Sequence, residues 1–202
     1  MKRWISVMIP AVMAFIVLGV AAPTFAEDPA QAYQTPGTAS ISGQVYSNDT
    51  IHLRCEVPEN WTQYTQSEIA DGGSPEEGFR TDMYAKGSGN DSLSVMIQRL
   101  SIEELSVLDE YPISELGAMQ ENAVISMLEA AGGQNVLFLV DEGFSSFPAD
   151  DYGCIFVSSD MNGNTIYMRQ VFYRVGEYMV SVTAASHGTD STAEYLGWFD
   201  AA

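Results

Sequence analysis

Residues 152–187 read YGCIFVSSDMNGNTIYMRQVFYRVGEYMVSVTAASH, three runs rich in β-branched and aromatic residues separated by two turn dipeptides. Asn162-Gly163 supplies the two left-handed positions of a tight hairpin turn, and Gly176-Glu177 supplies a second two-residue turn. Together the turns set the register of a three-strand meander. Counting outward places Cys154 opposite Val171 and Val171 opposite Val182, with Val157 opposite Met168 and Ile155 opposite Gln170 on the other face. Both faces are largely apolar, which an antiparallel sheet with one wet face does not need. The sheet is therefore expected to be covered on both sides. Arg169 falls on the Cys154 face beside Phe156 and Ala184, where a charge needs a carboxylate or an exit to water.

The candidate covers lie on either side of the meander. Upstream, Ser101 with Glu104 forms a possible capping box opening a short helix. Tyr111 and Pro112 break it, and Pro112 can open a second helix because proline is tolerated in a first turn. Ile113, Leu116, Met119, Ala123, Val124, Met127, Leu128 and Ala131 then recur near a 3.6-residue period, with Glu115, Asn122, Ser126 and Glu129 opposite. Gly132 and Gly133 stop this amphipathic helix. An apolar run at 136–140 and an acidic loop at 141–151 lead into the meander. Downstream, Ser191 with Glu194 offers another capping box for a last helix with Tyr195, Leu196 and Phe199 on its apolar face.

Further upstream, runs at 41–46 and 51–57 flank the turn-favouring residues 47–50. In the second run Ile51, Leu53, Cys55 and Val57 alternate with His52, Arg54 and Glu56, and Pro58 ends the strand. A polar stretch at 62–78 reads as the longest loop, and runs at 79–86 and 92–99 flank a longer turn at 87–91 as a second hairpin. The order of a strand, Val57-Pro58-Glu59-Asn60-Trp61, a strand hairpin, a helix pair, a meander and a terminal helix resembles the PsbP-like α/β/α sandwich. Relatives of that family include extrinsic photosystem proteins, a Ran-binding factor and bacterial exported proteins. The resemblance spans about residues 40–200; where the family commonly has glycine before the tryptophan, this chain has Asn60. It implies an antiparallel sheet of six to seven strands between helices on both faces, and a mostly non-catalytic role in binding or assembly. It carries over no partner or metal site.

The amino end reads as an address. Lys2 and Arg3 precede an apolar run at 4–20 and a small-residue exit ending at Ala26, the three regions of a secretory signal peptide. An uncleaved anchor is the alternative, since such a run approaches the length needed to span a bilayer, but Pro10 interrupts it and Thr24 and Ala26 suit a cut after Ala26. No cysteine follows to take a lipid. The organisation expected is a signal peptide at 1–26, a flexible spacer at 27–39 and a single domain at 40–202, secreted or held in the cell envelope.

The 202 residues carry 8 Lys and Arg against 27 Asp and Glu, a net charge of −19. Losing Lys2 and Arg3 with the leader leaves six basic residues and a net charge of −21, with Lys86 the single lysine. Nucleic acid and anionic membrane surfaces, which need clustered basic residues, are not expected as partners. At 46 % hydrophobic and 17 % charged the chain folds rather than forming an acidic tail.

The reactive inventory is thin. His52 and His187 stand in no zinc-binding spacing, and neither a nucleophile elbow nor a phosphate loop occurs. His187 near Asp190 offers an oriented base for a small extracytoplasmic hydrolase; the plainer reading is that the pair ends a strand and caps a helix. Asp160, Asn162 and Asn164 alternate like the first half of a calcium loop, but Thr165 and Val171 stand where glycine and glutamate are required. Asp141, Glu142, Asp150 and Asp151 could gather calcium, or form a solvated acidic loop. Cys55 and Cys154 are disulfide candidates in an oxidising compartment, or two separate buried thiols. Trp61 and Tyr64 are candidates for surface recognition, with core docking the alternative for Trp61 and Trp198. The function expected is an exported, non-enzymatic binding or assembly module, without cofactor, for another exported protein or a surface ligand. The alternatives are the hydrolase and calcium-dependent surface attachment.

Overall fold

The computed structural model describes residues 39–71, 79–141, 147, 149 and 151–202. The signal peptide, nearly all of the spacer, the glycine-rich part of the long loop, Glu142 and Asp150 lie outside these residues.

The meander forms β8 (Tyr152–Met161), β9 (Asn164–Val175) and β10 (Tyr178–His187). Its register is the one counted from the turns: Cys154 faces Val171, Val171 faces Val182, Val157 faces Met168, Ile155 faces Gln170, and Arg169 lies between Phe156 and Ala184. Asn162 and Gly163 both take positive φ, as does Gly176. The hairpin β5 (Phe79–Lys86) and β6 (Ser92–Arg99) adds to the meander through β6. With β4 (Thr62–Gln63) and β7 (Gln134–Val140) the sheet has seven strands in the order β4-β5-β6-β10-β9-β8-β7, every neighbour antiparallel.

Both faces are covered, but not by two helical layers. The amino-terminal strands β1 (Ser40–Ser42), β2 (Val45–Asn48) and β3 (Leu53–Glu56) form a separate four-stranded sheet closed by β11 (Phe199–Asp200). Tyr46, Leu53, Cys55 and Phe199 of this small sheet share one core with Val95, Val171, Val182 and Ala184 of the large one. The α/β/α sandwich expected from the sequence is therefore corrected to a mainly β fold of two antiparallel sheets. The alternation at 51–57 correctly marked a strand with one buried face, but a strand that buries one face can lie on top of a sheet as readily as within it. The hairpin also turns earlier than expected, at Gly43-Gln44, where Gly43 has a φ of 61°.

Helices cover the opposite face: α2 (Ile102–Leu108), α3 (Ile113–Met119) and α4 (Glu121–Ala130). Leu108, Ile113, Leu116, Val124 and Leu128 pack there on Ile155, Val157, Met168 and Phe172. The Ser101 capping box forms reciprocally, Glu104 N–H donating to Ser101 Oγ (3.2 Å) and Ser101 N–H to Glu104 Oε2 (2.6 Å). The single helix read over 113–131 is broken at Gln120, whose N–H donates to Gly117 O (3.1 Å) and so tightens the turn. Gly132, at φ 92°, ends α4 and the Gly133 N–H returns to Leu128 O (2.8 Å). Within the stretch read as loop, Thr65 and Glu68 cap α1 (Gln66–Asp71) in the same reciprocal way. The last helix, α5 (Thr192–Leu196), is capped not by Ser191 but by Asp190 Oδ1, which accepts from Thr192 N–H (3.0 Å). Its Tyr195 and Leu196 join the core beneath the small sheet.

Candidate functional site

Helix α3 lies close on β8, and two glycines allow the approach. A Cβ on Gly117 would stand 3.0 Å from Ile155 Cγ2; one on Gly153 would stand 2.3 Å from Phe172 Cζ and 3.0 Å from Ile113 O. Beside this contact opens a cleft of about 650 Å³ lined by Glu115 and Met119 of α3 and by Val140, Asp141, Tyr152 and Cys154 of the sheet margin. Met119 is exposed at the rim. Burial pushes the Cys154 thiol up to about 12, so it stays protonated near neutral pH.

Asp141 lies at the cleft margin, just past the end of β7. Its N–H donates to Cys154 O (2.8 Å), and its carboxylate pairs with the Arg169 guanidinium. Arg169 also lies 3.8 Å from Asp190, donates to Thr192 Oγ1 (3.3 Å) and sits 5.0 Å from the centre of the Phe156 ring. Burial lowers the pKa of this guanidinium and Asp190 partly opposes the shift. The charge that the meander places among apolar neighbours thus finds two carboxylates, one before β8 and one before α5.

His187 does not use Asp190. Its Nδ1 lies 3.5 Å from Asp91 Oδ1, which also accepts its main-chain N–H (2.9 Å), while Asp91 Oδ2 accepts from Tyr195 Oη (2.6 Å). Burial, followed by the bond to Asp91, holds the Tyr195 phenol up at about 12. The loop carrying Asp91 is thereby tied to the end of β10 and to α5. Sequence reading missed this group because Asp91 and Tyr195 are joined only by the fold.

A third polar group is deeper. Asp82 is fully buried and stands at a register shift between Thr81 and Met83, the extra residue of a β-bulge. Its carboxylate accepts from Tyr46 Oη (2.7 Å) and Asn48 Nδ2 (2.9 Å) and pairs with Arg80. These bonds clamp the small sheet to β5.

The structure places the remaining candidates elsewhere. Trp61 is buried, so it forms no exposed recognition surface; it meets Tyr195 and Trp198 edge to face at 4.8 and 5.1 Å. Tyr64 is half-buried against Tyr84, ring centres 5.1 Å apart. Cys55 and Cys154 are free buried thiols rather than a disulfide, and burial pushes Cys55 up to about 12 as well. Asp160 accepts from Asn135 Nδ2 (2.8 Å) and Thr165 Oγ1 (2.7 Å), bonds that brace the hairpin turn. Asp151 lines a second cleft, of about 610 Å³, with His52 and Arg174. Among the described residues no three His, Cys, Asp or Glu side chains gather as metal ligands.

Among the described residues, too, no helix is long and apolar enough to cross a membrane. No family model matches the chain, so the PsbP-like resemblance has no such model behind it. No curated protein matches it. Among solved structures it is similar to LpqN, involved in cell envelope biogenesis of Mycobacterium tuberculosis, at 11 % identity and a TM-score of 0.35, over 76 % of this chain and 75 % of that one.

Proposed function

We propose that the chain is an exported, non-enzymatic binding or assembly module whose ligand-contacting surface is the cleft between α3 and β8. The observation that carries this reading is the make-up of the cleft margin: Asp141 is held by Arg169, the Cys154 thiol is buried on the far face of the sheet, and Met119 offers an exposed apolar contact. Such a site binds by shape and apolar area rather than by an activated nucleophile. The leader-like amino end and the acidic, lysine-poor composition support export, with another exported protein or a surface ligand as the partner.

Affinity capture from the exported fraction of the source organism, with and without calcium, tests the reading. Ala118→Trp, which fills the cleft from the exposed side of α3, should cut retention of the captured ligand at least tenfold, and His187→Ala should leave it unchanged. An empty capture, together with hydrolase turnover that His187→Ala abolishes in a folded protein, would replace the module with an enzyme. Retention that needs calcium would favour metal-dependent attachment.

A further inference from the structure

Strand β7 ends the seven-stranded sheet, and among the described residues no strand pairs with its outer edge. Proteins usually blunt such an edge with lysine, proline or inward charge. Residues 134–140, QNVLFLV, carry none of these, and the strand's bulge, between Gln134 and Leu137, is confined to its start, leaving Leu137–Val140 in regular register. Leu137 and Leu139 are 46 % and 49 % exposed, on the face that also carries Phe156, whose ring stacks on Tyr167 with centres 6.4 Å apart. The small sheet does not cover this corner.

Two properties of the strand identify what fits it. First, residues 136–140, VLFLV, read the same in both directions about Phe138. A second β7 running antiparallel about a two-fold axis at Phe138 sets Leu137 against Leu139 on one face, and Phe138 against Phe138 and Val136 against Val140 on the other. Second, the main-chain groups point the right way. Asp141 N–H donates to Cys154 O across the β7–β8 pair, so Asp141, Leu139 and Leu137 turn their main-chain groups toward β8. Phe138 and Val140 turn theirs outward. An axis at Phe138 therefore brings outward groups against outward groups, as a hydrogen-bonded ladder requires. The charge of −21 does not oppose contact locally, because the strand is uncharged and the adjacent Asp141 is already paired with Arg169.

We infer that the chain forms a two-fold dimer through antiparallel pairing of β7 with β7 of a second copy, centred on Phe138. The dimer joins two seven-stranded sheets into one and shelters Leu137 and Leu139. This goes beyond the ligand reading and does not depend on it. The long-range repulsion of two acidic copies is screened by salt, so association strengthens as ionic strength rises.

Sedimentation velocity on the full chain as its host produces it, at micromolar to millimolar concentration, tests the inference. A concentration-dependent dimer is expected, at least tenfold weaker in the variant carrying Leu137→Glu and Leu139→Glu, which sets like charges across the axis. The variant carrying Leu137→Lys and Leu139→Glu sets opposite charges across it and should recover most of the loss. Amide exchange should slow on dimerisation at Phe138 and Val140 and not at Leu137 or Leu139. Circular dichroism and thermal melting confirm that each variant is folded. A wild-type monomer throughout the range would overturn the dimer, and so would a dimer indifferent to the paired glutamates. Failure of the opposite-charge variant to recover, or protection at the odd-numbered leucines instead, would overturn the axis at Phe138.

Discussion

Replacing Asp82 by alanine should be among the most damaging single changes in the described chain. The carboxylate has no exposed surface, and its removal takes the acceptor from Tyr46 Oη and one acceptor from Asn48, which keeps its bond to Tyr46, in residues 0 % and 2 % exposed. A buried donor left without its acceptor costs about 1–3 kcal/mol. Arg80, with 29 % of its side chain exposed, can turn partly to water and adds less. The sum is about 3–5 kcal/mol, the usual cost of removing one partner from a buried ion pair. In a domain of this size it lowers Tm by roughly 6–20 °C. Tyr46→Phe removes one bond to a charged acceptor and should cost about 1.5–3 kcal/mol. Urea unfolding of the wild type, both single variants and the double variant closes a cycle. The two effects should fall short of additivity by at least about 1 kcal/mol, as expected for side chains in direct contact. An Asp82→Ala protein within about 1 kcal/mol of wild type, or strictly additive effects, would refute the clamp between the sheets.

Three other perturbations probe separate parts of the molecule. Cys55 and Cys154 hold their protons up to about 12 when folded and to about 9 when unfolded, so the stability they contribute is complete below pH 9 and is lost between 9 and 12. At about 1.4 kcal/mol per pH unit for each thiol, the unfolding free energy should fall by roughly 3–5 kcal/mol from pH 9 to 11, and a flat profile in urea titrations would contradict their burial. Gly87→Ala would place a Cβ 2.6 Å from Trp61 Cε2; a loss of about 1–3 kcal/mol with altered tryptophan fluorescence is expected, and an unchanged melting curve would show that the ring has room. The bonds from Asn135 and Thr165 hold the Asp160 carboxyl below its ordinary range, so their stabilisation is present above that range and fades as pH falls through the lowered value. Carboxyl NMR titration should show Asn135→Ala moving Asp160 back up, and no movement would show that the bond is not formed in solution.

What could be read before folding was local. Asn162-Gly163 and Gly176-Glu177 each join strands that are neighbours in sequence, so the meander register follows from backbone preferences within two residues. The Ser101–Glu104 box and the Gly132 stop are equally short-ranged. The box at Thr65–Glu68 carries the same signal and went unread because the glycines and Pro75 of the long loop outweighed it. The small sheet was not legible: alternation shows that Leu53 and Cys55 share a buried face, but the surface they bury against lies on strands far along the chain, β9 and β10 among them. The polar groups failed for the same reason. Asp82 reads as an ordinary residue of a strand, and the Tyr46 and Asn48 side chains that meet it at its bulge come from another sheet. Arg169 was legible as a charge in need of a partner, whereas Asp141 and Asp190 as those partners required the fold.

The pairing of β11 with β3, Phe199 opposite Cys55 and Asp200 opposite Arg54, also orders events in time. The small sheet lacks its fourth strand until residues 199–200 are available, and the hydrogen bond from Ala202 N–H to His52 O (3.2 Å) is formed later still in synthesis. Contacts between such distant residues form slowly, because the chain between them must first be ordered. A nascent chain can hold its local hairpins while its two layers stay open. The short strand β11 thus acts as a late latch, closing the small sheet over a core whose other strands can pair before it.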